Sequence, residues 1–190
     1  MKPSNMPHSN VAAAAPAAEA PAVGARPARR GLLRHAILQL RERLIDARIW
    51  YLRTFMKMDI HPGARISLKA NLDLTNPRGI HIGEGTYVTF NVVVLAHDMS
   101  RVLHTDTYIG KNCFIGAHAI IMPGVRIGDQ CIIGSGSVVT KDVPAQSVVV
   151  GNPAKVVRSG IRTIKWGILE DAYNEAVAIE LKRQQSSFFE

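Results

Sequence analysis

The side chains of this sequence that could carry out chemistry are chiefly its histidines. Imidazole exchanges a proton close to neutral pH and also binds metal ions, so it serves as a general base or as a metal ligand. A histidine in a loop is nevertheless more often solvated than functional, so its position in the fold decides its role. Four of the seven histidines lie between residues 80 and 120, at His81, His97, His104 and His118.

The two cysteines offer less chemistry. Cys113 and Cys131 are eighteen residues apart and belong to no Cys-x-x-Cys or Cys/His zinc motif. Neither a disulfide framework nor a metal site is indicated, and a reducing compartment such as the cytosol fits this usage. We expect both side chains to fill the protein core.

The chain is basic, with a formal net charge of +8. Such an excess is typical of proteins that bind nucleic acids, anionic membrane surfaces or phosphorylated ligands. The cations are not interleaved with the aromatic residues of a base-stacking surface, which argues against nucleic-acid binding. They crowd into residues 26–57 and return at Lys141, Lys155, Arg158, Arg162 and Lys165.

A six-residue repeat organises the middle of the chain. One position of each repeat is aliphatic, and this series reads Ile109, Ile115, Ile121, Ile127, Ile133 and Val139. A second position is small or β-branched, and this series reads Cys113, Ala119, Val125, Cys131, Ser137 and Val143. Six residues are too few for a helix and a crossover, but they suit a short strand with two inward side chains and a corner.

These features predict an all-β solenoid whose coils stack at the ordinary strand spacing of about 4.8 Å. The same register extends upstream in two runs, which read Ile82, Val88 and Val94, and more loosely Ile60, Ile66 and Leu72. A slip of four residues around Asn76-Pro77-Arg78-Gly79 separates the two runs.

The largest break in the repeat lies between Val94 and Ile109. This step is fifteen residues where twelve would keep the register, so about three residues are expected to leave the wall there. His97 lies within the break, in the run Val-Val-Leu-Ala-His-Asp-Met-Ser-Arg. Because functional residues gather on the loops of a solenoid, this histidine stands out from the others.

The solenoid is predicted at residues 59–157, with three flanking segments. Residues 1–31 are rich in Ala and Pro without apolar periodicity, so we expect a disordered tail. Residues 32–58 are predicted to form a basic amphipathic helix. Residues 158–190 are predicted to be a helical extension, acidic early and basic late as the helix dipole favours.

Targeting signals are not apparent in the sequence. The Ala-rich start is interrupted by Pro16, Glu19 and Pro21 and lacks leucine, so a secretory signal is not expected. No stretch approaches the roughly 20 apolar residues that span a bilayer.

The predicted N-terminal helix carries one apolar stripe at three- and four-residue steps, with arginines between its members. The stripe consists of Leu33, Ile37, Leu40, Leu44, Ala47 and Tyr51. We expect it to pack across the mouth of the solenoid. Attachment to an anionic membrane surface is the alternative.

The repeats of residues 109–144 begin Ile-Gly-Lys-Asn-Cys-Phe-Ile-Gly-Ala-His-Ala and are followed by Gly-Asn-Pro-Ala-Lys-Val-Val-Arg. This pattern resembles the hexapeptide-repeat acyltransferases, above all the maltose/galactoside acetyltransferase group and its relatives that modify bacterial surface polysaccharides. The resemblance covers about residues 60–158. It implies a left-handed parallel β-helix, a homotrimer, and acetyl-CoA as co-substrate.

The resemblance also implies a catalytic centre. His97 would deprotonate the acceptor hydroxyl as this group attacks the thioester, with its ring oriented by Asp98 or by a backbone carbonyl. The backbone around Gly116 and Ala117, on an adjacent coil, would hold the developing oxyanion. Some relatives carry Ser at the position of Ala117, which here leaves the backbone N–H as the donor.

The same resemblance implies two binding regions. Acetyl-CoA would lie along Ser135, Thr140, Lys141, Lys155 and Arg158, with cations near its phosphates, where charge-assisted hydrogen bonds are strong. Lys141 and Arg158 could instead be solvated surface charges. The acceptor would be contacted by Asn91, Asp98 and His104.

The predicted reaction is O-acetylation of a sugar in surface-polysaccharide biosynthesis, in the cytoplasm or at the inner membrane. Serine is the alternative acceptor, because Asp59-Ile60-His61-Pro62-Gly63-Ala64 resembles the start of the solenoid in serine O-acetyltransferases. A non-enzymatic alternative is a trimeric scaffold that serves only as an interaction module.

We expect no metal. The β-helical carbonic anhydrases bind zinc through a His-x₄-His pair, whereas Pro123 stands five residues after His118.

Overall fold

The middle of the chain winds through three parallel sheets in turn. The computed structural model describes residues 28–186. The first sheet contains β1 (Asp59–Ile60), β4 (Ile80–Ile82), β9 (Thr107–Ile109) and β12 (Arg126–Ile127). The second contains β2 (Arg65–Ile66), β5 (Tyr87–Val88), β10 (Phe114–Ile115), β13 (Ile132–Ile133), β15 (Ser147–Gly151) and β16 (Ala154–Ser159). The third contains β3 (Asn71–Leu72), β6 (Val93–Val94), β11 (Ile120–Ile121) and β14 (Val138–Val139).

The six-residue repeat accounts for the core of this coil. Val88, Ile115 and Ile133 pair in register across the second sheet and are fully buried. Cys113 and Cys131 are also fully buried, and the N–H of Cys131 contacts Sγ of Cys113 at 3.4 Å. The predictions of stacked parallel strands and of core-filling cysteines are therefore confirmed.

The insertion that contains His97 is longer than the sequence suggested. Val94 lies on the third sheet and Ile109 on the first, so the two residues occupy consecutive sides of the coil. Consecutive sides are normally six residues apart, and here they are fifteen apart, which leaves nine additional residues. The expectation of about three was wrong because it assumed that a whole side of the coil was traversed between them.

Helix α1 (Ala28–Thr54) begins before the coil. Residues 28–31, predicted to belong to the tail, are thus helical, and the rest of that predicted tail lies outside the described residues. The helix packs on the coil through Ile45, Ile49 and Leu52, which are at most 6% exposed. Arg48 donates hydrogen bonds to backbone carbonyls of the first coil.

The predicted apolar stripe of this helix does not form the packing face. Ile37, Leu40, Leu44 and Tyr51 are between 45% and 59% exposed. The helix has a second apolar face about a third of a turn away, and that face is the buried one. The sequence offered two faces, and periodicity alone did not separate them.

Beyond the last parallel coil, β15 pairs with β16 antiparallel and ends the stack. The short strands β17 (Thr163–Ile164) and β18 (Ile168–Leu169) then pair with each other, and helix α2 runs over Glu170–Ser186. The prediction of a helical extension is therefore wrong for residues 158–169. Across residues 28–186, neither helix has the length and apolar character required to cross a membrane.

Candidate active site

His97 lies on a loop that leaves the coil where β6 ends. The backbone N–H of Thr105 donates to the carbonyl of Ala96 at 2.9 Å, which joins the two ends of the loop. Between them, β7 (His97–Asp98) and β8 (Leu103–His104) pair antiparallel, with His97 opposite His104. The loop therefore projects as a short hairpin.

A carboxylate of the preceding coil holds the imidazole of His97. Nδ1 of His97 is hydrogen-bonded to Oδ2 of Asp73, the residue that follows β3. The Asp73 side chain is 2% exposed and that of His97 is 20% exposed. The expectation that Asp98 or a backbone carbonyl would orient His97 is corrected by this contact.

The carboxylate of Asp73 is ionised in this setting. Burial raises its pKa, but hydrogen bonds from His97 and from the backbone N–H groups of Ala96, Thr75 and Asn76 outweigh burial, so the pKa lies below its ordinary value. An ionised carboxylate only accepts, so the proton of the shared hydrogen bond lies on Nδ1 of His97. The lone pair of Nε2 is then left for a substrate.

Asp98 performs a different task, inside the loop. Its Oδ1 accepts hydrogen bonds from the backbone N–H and the hydroxyl of Ser100, and its Oδ2 accepts from Nε of Arg101 at 2.6 Å. These bonds to Ser100 and Arg101 lower the pKa of Asp98 to about 2. Asp98 therefore braces the turn of the hairpin.

The base of the loop is braced by Asn76, which lies in the four-residue slip seen in the sequence. Its side-chain Nδ2 donates to the carbonyl of Ala96 at 2.9 Å and to that of Thr105 at 3.2 Å. Gly79 lies against the same point, where a Cβ atom would come within 2.6 Å of the Thr105 carbonyl and of Asn76 Nδ2. The slip thus supplies the group that holds both ends of the loop that carries His97.

The remainder of the hairpin is exposed. The ring of His104 lies 6.2 Å from that of His97 between centroids, at an interplanar angle of 28°. Met99 and Val102 at the turn are 77% and 88% exposed, and Val102 adopts a φ of 50°, which is unusual for a β-branched residue. His104 is therefore placed beside His97 on the exposed part of the hairpin.

The third sheet has two edges that carry different site residues. Because its strands are parallel, they all begin at one edge, the amino edge, and all end at the other, the carboxyl edge. His97 follows β6 and Thr140 and Lys141 follow β14, so these residues lie at the carboxyl edge. Asn91 and Ala117 precede β6 and β11, so they lie at the amino edge.

Ser135 also precedes its strand and lies at the amino edge, together with Gly116. The N–H of Gly116 is already donated to the carbonyl of Ile133 at 2.8 Å. Within residues 28–186, the N–H of Ala117 has no such partner, so it could donate a hydrogen bond to a ligand. One chain does not bring this donor to His97, since the two belong to opposite edges.

A further histidine belongs to the amino edge. The ring of His118 meets that of Phe90 edge-on at 5.7 Å between centroids, and its Nε2 lies 3.4 Å from Nδ2 of Asn91. The sequence had drawn attention to His118 only as a metal ligand. Among the residues that the structure describes, no group of three or more His, Cys, Asp or Glu side chains is arranged to hold a metal ion.

The cations proposed for the CoA phosphates lie towards the end of the coil. Lys155 and Arg158 are exposed on β16, where they pair with Val150 and Val148 of β15. Lys141 is exposed at the carboxyl edge. These side chains are free to meet a polyanion, although they are distributed over two sides of the coil.

Asp73 and Asn76 are the two site residues that the sequence analysis missed. Asp73 occupies the position directly after the inward aliphatic residue, where the later coils of the same sheet carry Leu95, Met122 and Thr140. A charged residue at this position of one coil is the only local signal of its role. Asn76 is marked only by the slip.

The chain is similar to known acetyltransferases. A profile of the bacterial transferase hexapeptide family (six repeats) matches residues 106–141. YvoF of Bacillus subtilis, whose assignment as an acetyltransferase is itself provisional, is 33% identical over 117 residues, which are 60% of this chain and 67% of that protein. Galactoside O-acetyltransferase of Escherichia coli is 36% identical over 109 residues, which are 53% of this chain and 54% of that enzyme.

Among solved structures, a maltose O-acetyltransferase from Clostridium difficile superposes with a TM-score of 0.42 at 28% identity. The superposition covers 50% of this chain and 65% of that one. The chain thus spans about half to two thirds of the length of these relatives.

Proposed function

Since this chain belongs to the hexapeptide-repeat acetyltransferases, we propose that it transfers an acetyl group from acetyl-CoA to a hydroxyl group of a sugar. The observation that carries the proposal is the hydrogen bond between Asp73 and His97 on the projecting loop. A buried ionised carboxylate that orients an imidazole is the arrangement required for a general base.

The proposed reaction is a direct transfer. Nε2 of His97 takes the proton of the acceptor hydroxyl as its oxygen attacks the thioester carbonyl. The N–H of Ala117 donates to the oxyanion that forms. When the oxyanion collapses, the C–S bond breaks, and the imidazolium returns its proton to the departing thiolate of CoA. Asp73 stabilises the imidazolium while it exists.

We propose that the active sites form between subunits of a homotrimer with left-handed coils. His97 and the donor at Ala117 lie at opposite edges of the third sheet, so the two groups meet only if the carboxyl edge of one subunit faces the amino edge of the next. Three of the four outward residues on the face between these edges are apolar and half-buried, namely Val93, Ile120 and Val138, and Asn71 of β3 completes the row. An apolar face flanked by the two halves of a site suits such an interface.

The proposal includes both substrates. Ser135, Thr140 and Lys141 would line the acetyl-CoA groove, and Lys155 and Arg158 would meet the phosphates, where charge-assisted hydrogen bonds are strong. The sugar would approach between His97 and His104 from one subunit and Asn91 from the other. We place the reaction in surface-polysaccharide biosynthesis, in the cytoplasm.

The test is release of CoA thiol from acetyl-CoA by wild type and by His97→Ala. The acceptor panel contains free sugars, nucleotide sugars, lipid-linked saccharides and serine. We expect release that depends on a saccharide and falls on the order of 10²–10⁴-fold in the variant. Thiol release that depends on serine alone would show that serine, and not a sugar, is the acceptor. Absence of acetyl-CoA binding in calorimetry would overturn the enzymatic proposal and favour a scaffold without catalysis.

A further inference from the structure

Helix α1 has two apolar faces, and the coil covers only one of them. The covered face consists of Ile45, Ile49 and Leu52. The other face, here termed the outer stripe, consists of Ile37, Leu40, Leu44 and Tyr51, with Phe55 directly after the last helical residue. At 100° per residue its members cluster on one side of the helix, about 120° away from the covered face.

The outer stripe is well exposed along the described helix. Each of its five side chains is between 45% and 59% exposed, and two of them are aromatic. A large contiguous apolar surface on a protein marks a site of interaction. The stripe extends along five turns of the helix, so it suits an extended, flat partner better than a small ligand.

The charge of the chain is concentrated on the same segment. Residues 26–57 contain nine Arg and Lys residues and two acidic ones, Glu42 and Asp46, a net charge of +7 out of +8 for the whole chain. The remaining 158 residues are therefore close to neutral, at +1. Within the segment, Arg41 pairs with Glu42 at 3.4 Å and Arg48 donates to carbonyls of the coil. The cations with described, exposed side chains that are left to meet an anionic partner are Arg34, Arg43, Arg53 and Lys57.

We infer that the outer stripe of α1 docks on an anionic lipid bilayer. A basic helix with an exposed apolar face lies in the membrane interface, its apolar side chains among the acyl chains and its cations among anionic headgroups. A second copy of this chain is a poorer occupant, because it would bring two segments of net charge +7 together. The inference goes beyond the acyl transfer proposed above and rests on residues of α1 that take no part in it.

The test is flotation of the full chain with vesicles of phosphatidylcholine alone and with added phosphatidylglycerol. We expect binding to the anionic vesicles that weakens as salt is added, since screening acts on the headgroup contacts. Leu40→Ser/Leu44→Ser should lower the partition coefficient roughly tenfold or more, because it removes two apolar side chains from the stripe. The matched control is Val177→Ser/Leu181→Ser, which removes two exposed apolar side chains from α2.

A labelled variant reports where the helix lies. The native cysteines are fully buried, so Leu44→Cys can be labelled selectively with an environment-sensitive fluorophore, and Ile179→Cys on α2 provides the control. Anionic vesicles should brighten the label at position 44 and leave that at 179 unchanged.

Three results would overturn the inference. These are absence of wild-type binding to anionic vesicles, equal binding by the Leu40→Ser/Leu44→Ser variant, or a change in that variant's molar mass in light scattering. The last result would assign the stripe to contact between subunits. Since neither activity nor acetyl-CoA is used, failure here leaves the proposed reaction untouched, and the reverse also holds.

Discussion

Asp73 hydrogen-bonds Nδ1 of His97 although the two residues are 24 positions apart in the chain. The stacking of coils creates this relationship, since the end of β3 lies directly beside the end of β6. The carboxylate is buried and satisfied by backbone donors as well, so it is a fixed part of the wall. The loop that carries His97, in contrast, projects from the wall and is held against Asp73 by hydrogen bonds at its base.

Replacement of Asp73 by Asn should lower kcat on the order of 10²-fold, because a neutral amide stabilises the imidazolium less than a carboxylate does. Its NH2 group would also face a backbone N–H from which the carboxylate accepts. The Michaelis constant for acetyl-CoA should change little. Steady-state kinetics with the identified acceptor measures both constants. Asp98→Asn is the matched control, and an equal loss of kcat in that variant would show that Asp73 is not the orienting group.

Asn76 should act as a positioning residue for the same step. Asn76→Ala should lower kcat roughly tenfold by loosening the base of the loop. Asn76→Asp should be worse, because it sets an acceptor against the carbonyls of Ala96 and Thr105. Hydrogen exchange at the Thr105 amide should quicken in both variants. Arg78→Ala, an exposed side chain in the same slip, should change neither kcat nor the exchange rate. Unchanged exchange in Asn76→Ala would contradict this role.

The pH dependence of stability should also report on Asp73. Its pKa is lower in the folded chain than in the unfolded one, so its contribution is fully present above the unfolded value of about 3.9 and is lost as the pH falls through the folded pKa. The difference in free energy of unfolding between wild type and Asp73→Asn should therefore shrink as the pH falls below about 4. Urea titrations between neutral and acidic pH measure this difference, and a constant difference would refute it.

Variants at opposite edges of the third sheet should complement each other. His97→Ala removes the base at the carboxyl edge, and Ser135→Trp obstructs the groove at the amino edge. In trimers that mix the two chains at random, about one quarter of the sites would combine two intact edges. Co-expression should restore activity to about that fraction, whereas a site built within one chain would give none.

The cysteines should be inert in the folded protein. Cys113 and Cys131 are fully buried, so a thiol reagent should react with both only after unfolding. Cys113→Ala should lower the free energy of unfolding by about 1 kcal/mol through lost packing and leave kcat unchanged. Reaction of either thiol in the native state, followed by mass spectrometry, would contradict this expectation.

The fold could be predicted because its determinants are local and repeated. An aliphatic residue at every sixth position, followed by a corner, specifies a coil without reference to distant residues. The helix face was mispredicted for the opposite reason. Leu44 and Ile45 belong to two different apolar stripes, and either stripe could have packed on the coil. The shape of the coil surface decides that the stripe of Ile45 is buried.

The candidate site divides in the same way. His97 could be found because it interrupts a repeat, which is visible along the chain. Its partner could not, because Asp73 is brought to it by the stacking of coils around an insertion whose length was itself misjudged. Asp98, the sequence neighbour, was a plausible substitute, but its carboxylate is occupied by Ser100 and Arg101.

Because its two ends are joined, the loop that carries His97 can be replaced as a unit. The chain leaves the coil at Ala96 and re-enters it at Thr105, and these two residues are joined by a backbone hydrogen bond and by Asn76. We therefore expect that the segment between them can change in length and composition without altering the path of the coil. A transplanted hairpin that kept a histidine at its second position would meet the same carboxylate. We therefore expect that acceptor preference can be changed by grafting this one segment onto an otherwise unchanged scaffold.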